Sequence, residues 1–121
     1  MKAKDKISSI GSTDEPTVSR MVEDVIGCKW TLTIMQLIRR GVCRPGMIER
    51  SVEGLTTKVL NERLRKLVRY RILERRAYPE VPPRVEYKLT PFGHKFARLL
   101  DAIEELEKER AMATTRGADS G

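Results

Sequence analysis

The spacing of apolar residues changes within segment 56–89 from the period of a helix to that of a strand. In residues 56–70, TTKVLNERLRKLVRY, an apolar residue returns every three or four positions, which predicts an amphipathic helix with Thr56 as its N-cap. Residues 72–78 and 84–89 alternate with a period of two, and the segment between them is PEVPP. Because prolines stiffen turns, these segments predict a β-hairpin with a rigid tip. The chain must therefore place a helix directly before a two-stranded hairpin.

Four further helices are expected around this helix–hairpin unit. Helical periods occur in residues 17–26, 29–40 and 45–53 before it, and in residues 91–110 after it. Gly27, Gly41 and Gly54 each follow one of the first three segments, as glycine often does at helix ends. The order of three helices, a basic helix, a hairpin and a last helix predicts a mostly α (α+β) fold. It is that of a winged helix-turn-helix with a two-stranded β-wing and terminal dimerisation helices.

The chain is expected to form one domain, because single cores commonly run to about 100–150 residues and the sequence has 121. Segments 1–16 and 111–121 are polar or built of small residues, and we predict flexible tails on either side of a domain spanning residues 17–110. No apolar run reaches the roughly 18 residues of a membrane helix, and the N-terminus lacks a signal-peptide core. The expected location is therefore the cytoplasm, associated with the nucleoid.

Catalysis and metal binding are not expected. One histidine and two cysteines do not supply a structural zinc site, and the two thiols are expected to be reduced in a cytosolic chain. No nucleophile–base cluster and no glycine-rich phosphate loop appears in the sequence. We therefore expect no enzymatic activity, no cofactor and no metal.

Nearly all of the net charge of +7 lies in segment 55–89, which has ten basic and four acidic residues. Such a concentration favours a polyanionic partner, and double-stranded DNA is the partner expected for a helix-turn-helix. On the helix, asparagine suits an adenine edge, arginine or lysine suits guanine or phosphate, and threonine hydroxyls at the helix start suit phosphate. The predicted contacts are Thr56, Thr57, Lys58, Asn61, Arg65 and Arg69 on the recognition helix, and Arg75, Arg76 and Arg84 on the wing.

The last predicted helix carries an apolar seam with a 3.5-residue period, which is typical of helices that pair with one another. Packing against the chain's own domain is the alternative, but a helix about 30 Å long exceeds what a short core needs. We therefore expect the last helix to pair with a second subunit. Its predicted dimerisation residues are Phe96, Leu99, Ile103 and Leu106.

Three stretches resemble the HxlR-type winged helix-turn-helix regulators, which are distant relatives of the MarR-type regulators. They are residues 25–31, residues 60–67 and above all residues 74–94, ERRAYPEVPPRVEYKLTPFGH, which is close to that family's wing pattern YPEVPPRVEYxLTxxG. The resemblance covers about residues 17–105. It implies a sequence-specific bacterial or archaeal transcriptional regulator that binds a pseudo-palindromic operator as a homodimer built from the terminal helices. On the first helix the residues expected in that interface are Met21, Val22 and Val25. The sequence does not name a small-molecule or redox effector.

The sequence departs from that family at four places. Thr17 stands where such regulators often carry a cysteine, which some members use for redox or electrophile sensing, and this argues against sensing by that route. Cys28 replaces a usual glycine; because it lies near a helix start and beside a lysine, it is a candidate redox thiol, with an inert, partly buried thiol as the alternative. Arg71 replaces another glycine, and Pro45–Ile48 replace a more typical Phe-Asn-Glu-Leu pattern.

Two other functions fit the same basic face. A non-specific architectural nucleic-acid-binding protein would need the charge but no preferred site, and a protein-interaction module would meet an acidic partner. The proline-stiffened wing and the mixed asparagine, threonine and lysine front favour a specific DNA-binding protein, because a bulk phosphate binder needs only lysine and arginine.

Overall fold

A computed structural model describes residues 15–120, with side chains to residue 113, so most of the predicted tail 1–16 lies outside the described residues. The described part has the predicted order of elements and forms a winged helix-turn-helix. These elements are α1 (Val18–Gly27), α2 (Thr31–Arg39), α3 (Pro45–Ser51), α4 (Thr57–Arg69), β1 (Leu73–Tyr78), β2 (Arg84–Leu89) and α5 (Pro91–Ser120). No helix among the described residues is long and apolar enough to cross a membrane.

The link between α1 and α2 differs from the prediction at both ends. Gly27 is the last residue of α1 instead of following it, and Cys28 closes the helix in an extended conformation. Helix α2 begins at Thr31, two residues later than predicted, because Trp30 has a φ of 78°. A left-handed residue cannot continue a right-handed helix, so Trp30 ends the link and serves as N-cap.

The core lies between α2, α3 and α4 and holds the back of α4 in place. Leu60, Leu64 and Leu67 are fully buried, as their spacing predicts, and they pack in one cluster with Ile34 and Ile48. Burial of each such side chain contributes about 1.5–3 kcal/mol relative to exposure. The apolar face of α4 is thereby fixed inward, and its polar face is turned to solvent.

Both ends of α4 are closed by specific backbone geometry. At its start, the Thr56 hydroxyl oxygen accepts a hydrogen bond from the Val59 N–H at 3.2 Å, as the predicted N-cap requires. At its end, Arg71 has a φ of 61°, and the Ile72 N–H donates to the Leu67 carbonyl at 3.0 Å. Arg71 thus occupies a left-handed position, which explains why the resembled family has glycine there.

The wing is a two-stranded antiparallel hairpin whose register runs from Leu73 opposite Leu89 to Tyr78 opposite Arg84. The segment before α3 is joined to it, because the Tyr87 N–H donates to the Cys43 carbonyl at 2.9 Å. The wing is therefore attached to both α3 and α4, and not to α4 alone.

Helix α5 begins where predicted and continues ten residues beyond Arg110, the predicted end. The Thr90 hydroxyl oxygen caps its start by accepting a hydrogen bond from the Gly93 N–H at 2.8 Å. The residues that directly follow Arg110 are Ala111, Met112 and Ala113, which favour a helix, and the segment contains no proline. Arg39 of α2 binds Asp101 of α5 with two parallel hydrogen bonds of 2.9 and 2.8 Å, which fix α5 against α2.

Candidate nucleic-acid interface

The exposed face of α4 presents polar side chains that have no partner within residues 15–113. Lys58, Asn61 and Arg65 are exposed, and within residues 15–113 none of the three side chains forms a hydrogen bond or an ion pair. Since the opposite face of the same helix is fully buried, these side chains are held on a rigid support. They can make hydrogen bonds to a partner without first breaking bonds within the protein.

The two threonines at the start of α4 differ in what they can donate. The Thr56 oxygen accepts from Val59 N–H, so its hydroxyl proton stays available for an acceptor such as a phosphate oxygen. Thr57 instead donates its proton to Glu49 Oε2 at 2.7 Å. That bond joins α3 to the first residue of α4. Thr57 therefore has a positioning contact within the protein, and its contact with a phosphate stays a prediction.

The end of α4 is anchored to α1 by a partly buried polar cluster. The Tyr70 hydroxyl donates to the Asp24 carboxylate, and Lys66 Nζ lies 3.5 Å from Asp24 Oδ2. The hydrogen bond from Tyr70, together with nearby Lys66 and Arg20, lowers the pKa of Asp24, while burial and the Asp24 contact raise the pKa of Tyr70. The exposed Arg69 guanidinium lies 5.8 Å from the Tyr70 ring centroid. Because 46 residues separate Asp24 from Tyr70, no local sequence pattern indicated this contact.

Two of the three predicted wing arginines are already paired. Arg84 stacks 4.0 Å from the Tyr78 ring centroid and forms ion pairs with Glu80 and Glu86 at 3.0 and 3.5 Å. Arg76 binds Glu74 at 2.8 Å on the same strand. Arg75 is exposed and has no acidic partner within the described residues. Arg84 thus braces the turn of the wing, and Arg75 is the wing arginine most free to bind an external anion.

The predicted dimerisation residues fall into two groups. Met21, Val25 and Phe96 are buried in the chain's own core, with exposed fractions of 7, 1 and 2%. These three side chains pack within one chain, and a 3.5-residue period does not distinguish packing within a chain from packing between chains, so their part in a subunit interface stays a prediction. Leu99 and Leu106 are exposed by 40 and 64%, whereas Val22 and Ile103 are partly buried against the core.

An apolar surface remains beside these residues. Leu99 and Leu106 of α5 are large exposed apolar side chains, and so are Val18 and Ile26 of α1. A groove runs between the helices and is lined by Ile26, Leu32, Leu100 and Ile103, among others.

Cys28 is partly buried in the link between α1 and α2, and its thiol is free. The ammonium of neighbouring Lys29 lies 4.7 Å from the Trp30 ring centroid. A redox role for Cys28 stays a prediction. No group of three or more histidine, cysteine, aspartate or glutamate side chains suited to a metal occurs in the described part of the chain.

Known proteins are similar to this chain in sequence and in fold. The HxlR-like helix-turn-helix family matches residues 25–115. An uncharacterized HTH-type transcriptional regulator of Synechocystis sp. is 38% identical over 85 residues, covering 70% of this chain and 63% of that protein. The match thus spans somewhat less than two thirds of that relative's length. The uncharacterized HTH-type transcriptional regulator YtfH of Escherichia coli (strain K12) is 38% identical over 94 residues, covering 74% and 75% of the two chains.

A solved structure agrees with these sequence matches. A protein described as a transcriptional regulator of the MarR family from Enterococcus faecalis V583 superimposes with a TM-score of 0.74 and 33% identity, covering 86% of this chain and 94% of that one. The family match over most of the chain, with the shared winged fold, shows that this protein belongs to the HxlR-like helix-turn-helix family.

Proposed function

We propose that this protein is a transcriptional regulator that binds a pseudo-palindromic site in double-stranded DNA as a homodimer. The observation that carries the proposal is the exposed face of α4, a helix whose back is buried. There Lys58, Asn61 and Arg65 have no partner in the described part of the chain. An α-helix fits the major groove, where each base pair presents a distinct pattern of donors and acceptors. Arg75 on the adjoining wing would reach the DNA backbone or the minor groove.

Specific binding is favoured over architectural binding by the chemistry of this face. Asn61 bears no charge, so it contributes little to bulk attraction toward phosphates, yet its amide can pair bidentately with adenine. Its exposed place between Lys58 and Arg65, one helical turn from each, puts it in the middle of the basic face. A face built only for non-specific binding would gain more from a cation at this position.

Homodimer formation is supported by the exposed apolar residues of α1 and α5. Leu99 and Leu106 lie seven residues apart, so they share one side of α5, and Ile26 of α1 borders the groove beside that helix. A second copy related by a two-fold axis would cover this surface. It would also present a second α4 to the next half-site, about one helical turn or ~34 Å along the duplex.

The test is selection of bound fragments from the genomic DNA of the source organism, followed by competition with random DNA at physiological salt. The proposal expects a common site with two-fold symmetry, whose half-site centres are separated by about 10 base pairs or a multiple. Binding that shows no common site, and that random DNA removes completely, would favour the architectural alternative.

A further inference from the structure

A cleft between α3 and the wing contains two arginines, Arg44 and Arg50, that were not among the predicted DNA contacts. Its walls carry Arg44 and Arg50 on the α3 side and Arg84 and Glu80 on the wing side, and its volume is about 560 Å³. Two prolines of the wing turn, Pro82 and Pro83, also line the cleft. Glu86 lies within ion-pair distance of both Arg44 and Arg84. Three arginines therefore face two glutamates, and the cleft keeps a net positive charge.

Arg44 is held in place but paired only loosely. The hydrogen bond from Tyr87 N–H to the Cys43 carbonyl fixes the residue before it beside β2. Its Nε lies 3.7 Å from Glu86 Oε2, which is too long for a hydrogen bond, and half of its side chain is exposed. Since Glu86 also contacts Arg84 at 3.5 Å, Arg44 can exchange this contact for a new anion without leaving the glutamate unpaired.

Arg50 lines the cleft and has no acidic partner within residues 15–113. One of its terminal nitrogens lies 3.6 Å from the position that a Cβ on Gly46 would occupy, so the guanidinium lies above the glycine at the cleft wall. The side chain is exposed. A guanidinium presents parallel N–H donors that match two oxygens of a phosphate group.

The cleft borders the wing, and its α3 wall is joined to the start of α4, so it adjoins both elements proposed to contact DNA. Glu49, the residue before Arg50, accepts a hydrogen bond of 2.7 Å from Thr57, which joins α3 to the start of α4. The turn of the wing forms the wall of the cleft opposite α3. We propose that the cleft binds a backbone phosphate of the DNA duplex, with Arg50 and Arg44 as its ligands. This proposal rests on the proposed function, because a duplex seated on α4 and the wing brings its backbone to this position.

The test is a salt titration of DNA affinity by fluorescence anisotropy, using the selected site and an unrelated duplex. Arg50→Ala and Arg44→Ala are each expected to weaken binding to both duplexes by a similar factor, about 5- to 30-fold at low salt. Each is also expected to reduce the slope of log K against log salt by about 0.9, the value for one phosphate contact. Arg50→Lys should keep most of the slope, since it keeps the charge. Lys108→Ala on α5 is the matched control and should leave both quantities unchanged.

The outcomes separate this proposal from the proposed function. The cleft proposal alone would be overturned if Arg44→Ala and Arg50→Ala kept the wild-type affinity and salt slope while Asn61→Ala weakened binding to the selected site. Failure of the wild-type protein to bind any DNA would overturn both. Isothermal calorimetry with inorganic phosphate tests whether the cleft binds a free phosphate ion. Micromolar binding that Arg50→Ala abolishes would identify a small-anion site instead of a contact with the DNA backbone.

Discussion

Gly93 near the start of α5 gives the sharpest test of the packing, because local propensity and tertiary structure predict opposite results for Gly93→Ala. In a helix, alanine is more favourable than glycine by about 1 kcal/mol. In this structure, however, a Cβ on Gly93 would lie 2.0 Å from the Ile72 carbonyl oxygen and 3.2 Å from Leu89 Cδ2. Carbon and oxygen atoms normally approach no closer than about 3.3 Å, so the backbone of Ile72 or the start of α5 would have to move by more than 1 Å.

The cost of that movement can be built up from the contacts around Ile72. Overpacking of a tight contact costs about 1–3 kcal/mol. The same carbonyl accepts the Thr90 N–H at 3.1 Å, and disturbing a hydrogen bond of this kind costs about 1 kcal/mol. After the gain of about 1 kcal/mol in helix propensity, Gly93→Ala should lower the free energy of unfolding by about 1–3 kcal/mol.

The measurement is urea denaturation of Gly93→Ala and of Gly27→Ala at one fixed protein concentration, because the proposed homodimer would make apparent stability concentration-dependent. Gly27 is the matched control: it is also helical, and a Cβ built on it meets nothing within 4 Å. Gly27→Ala should raise the free energy of unfolding by about 0.5–1 kcal/mol. Equal stabilisation by both substitutions would refute the close approach of α5 to Ile72.

Substitutions at Asp24, Arg71 and Leu106 test other contacts. Asp24→Asn weakens the contact with Tyr70, which stabilises the folded state by about 1.5–3 kcal/mol. Because the pKa of Asp24 is lowered in the folded state, this stabilisation is present above the ordinary value of 3.8 and is lost as pH falls through the folded pKa. Urea titrations at pH 7 and pH 3 should therefore show the variant's deficit shrinking in acid, and pH-independent deficits would contradict the cluster. Arg71 has a φ of 61°, so Arg71→Gly should be more stable to thermal unfolding than Arg71→Ala by about 0.5–1 kcal/mol, the reverse of their order in a helix. An Arg71→Ala variant at least as stable as Arg71→Gly would contradict the left-handed geometry. Leu106→Asp should shift sedimentation toward the monomer, because Leu106 lies on the exposed apolar side of α5. Lys108→Asp, on the opposite side of α5, should not change the sedimentation. An unchanged dimer in Leu106→Asp would exclude the apolar side of α5 from the interface.

The order of elements and the inward face of α4 followed from sequence because both depend on local spacing. Leu60, Leu64 and Leu67 recur at a helical period, and Thr56 and Thr90 directly precede helices that they cap. These signals involve residues within one or two turns of each other. A single sequence carries them without knowledge of the tertiary fold.

The features that escaped prediction depend on distant residues or on backbone angles. The Asp24–Tyr70 contact joins residues of different helices, and the left-handed Trp30 lies at a position where no glycine marks the turn. Met21 and Phe96 share the apolar character of interface residues but pack inside one chain. The pairing of Arg84 with Glu80 and Glu86 likewise depends on how the wing folds back, which the charge pattern alone does not determine.

The most direct test of the central claim compares the DNA affinity of α4 variants on the selected site with their affinity on a scrambled duplex. Asn61→Ala should weaken binding to the selected site by about 1–3 kcal/mol, roughly 5- to 150-fold, and should change binding to scrambled DNA little, since it removes a base contact and no charge. Lys108→Ala should bind both duplexes as the wild type does. Unchanged affinity of Asn61→Ala and Arg65→Ala for the selected site would contradict the assignment of α4 as the recognition helix.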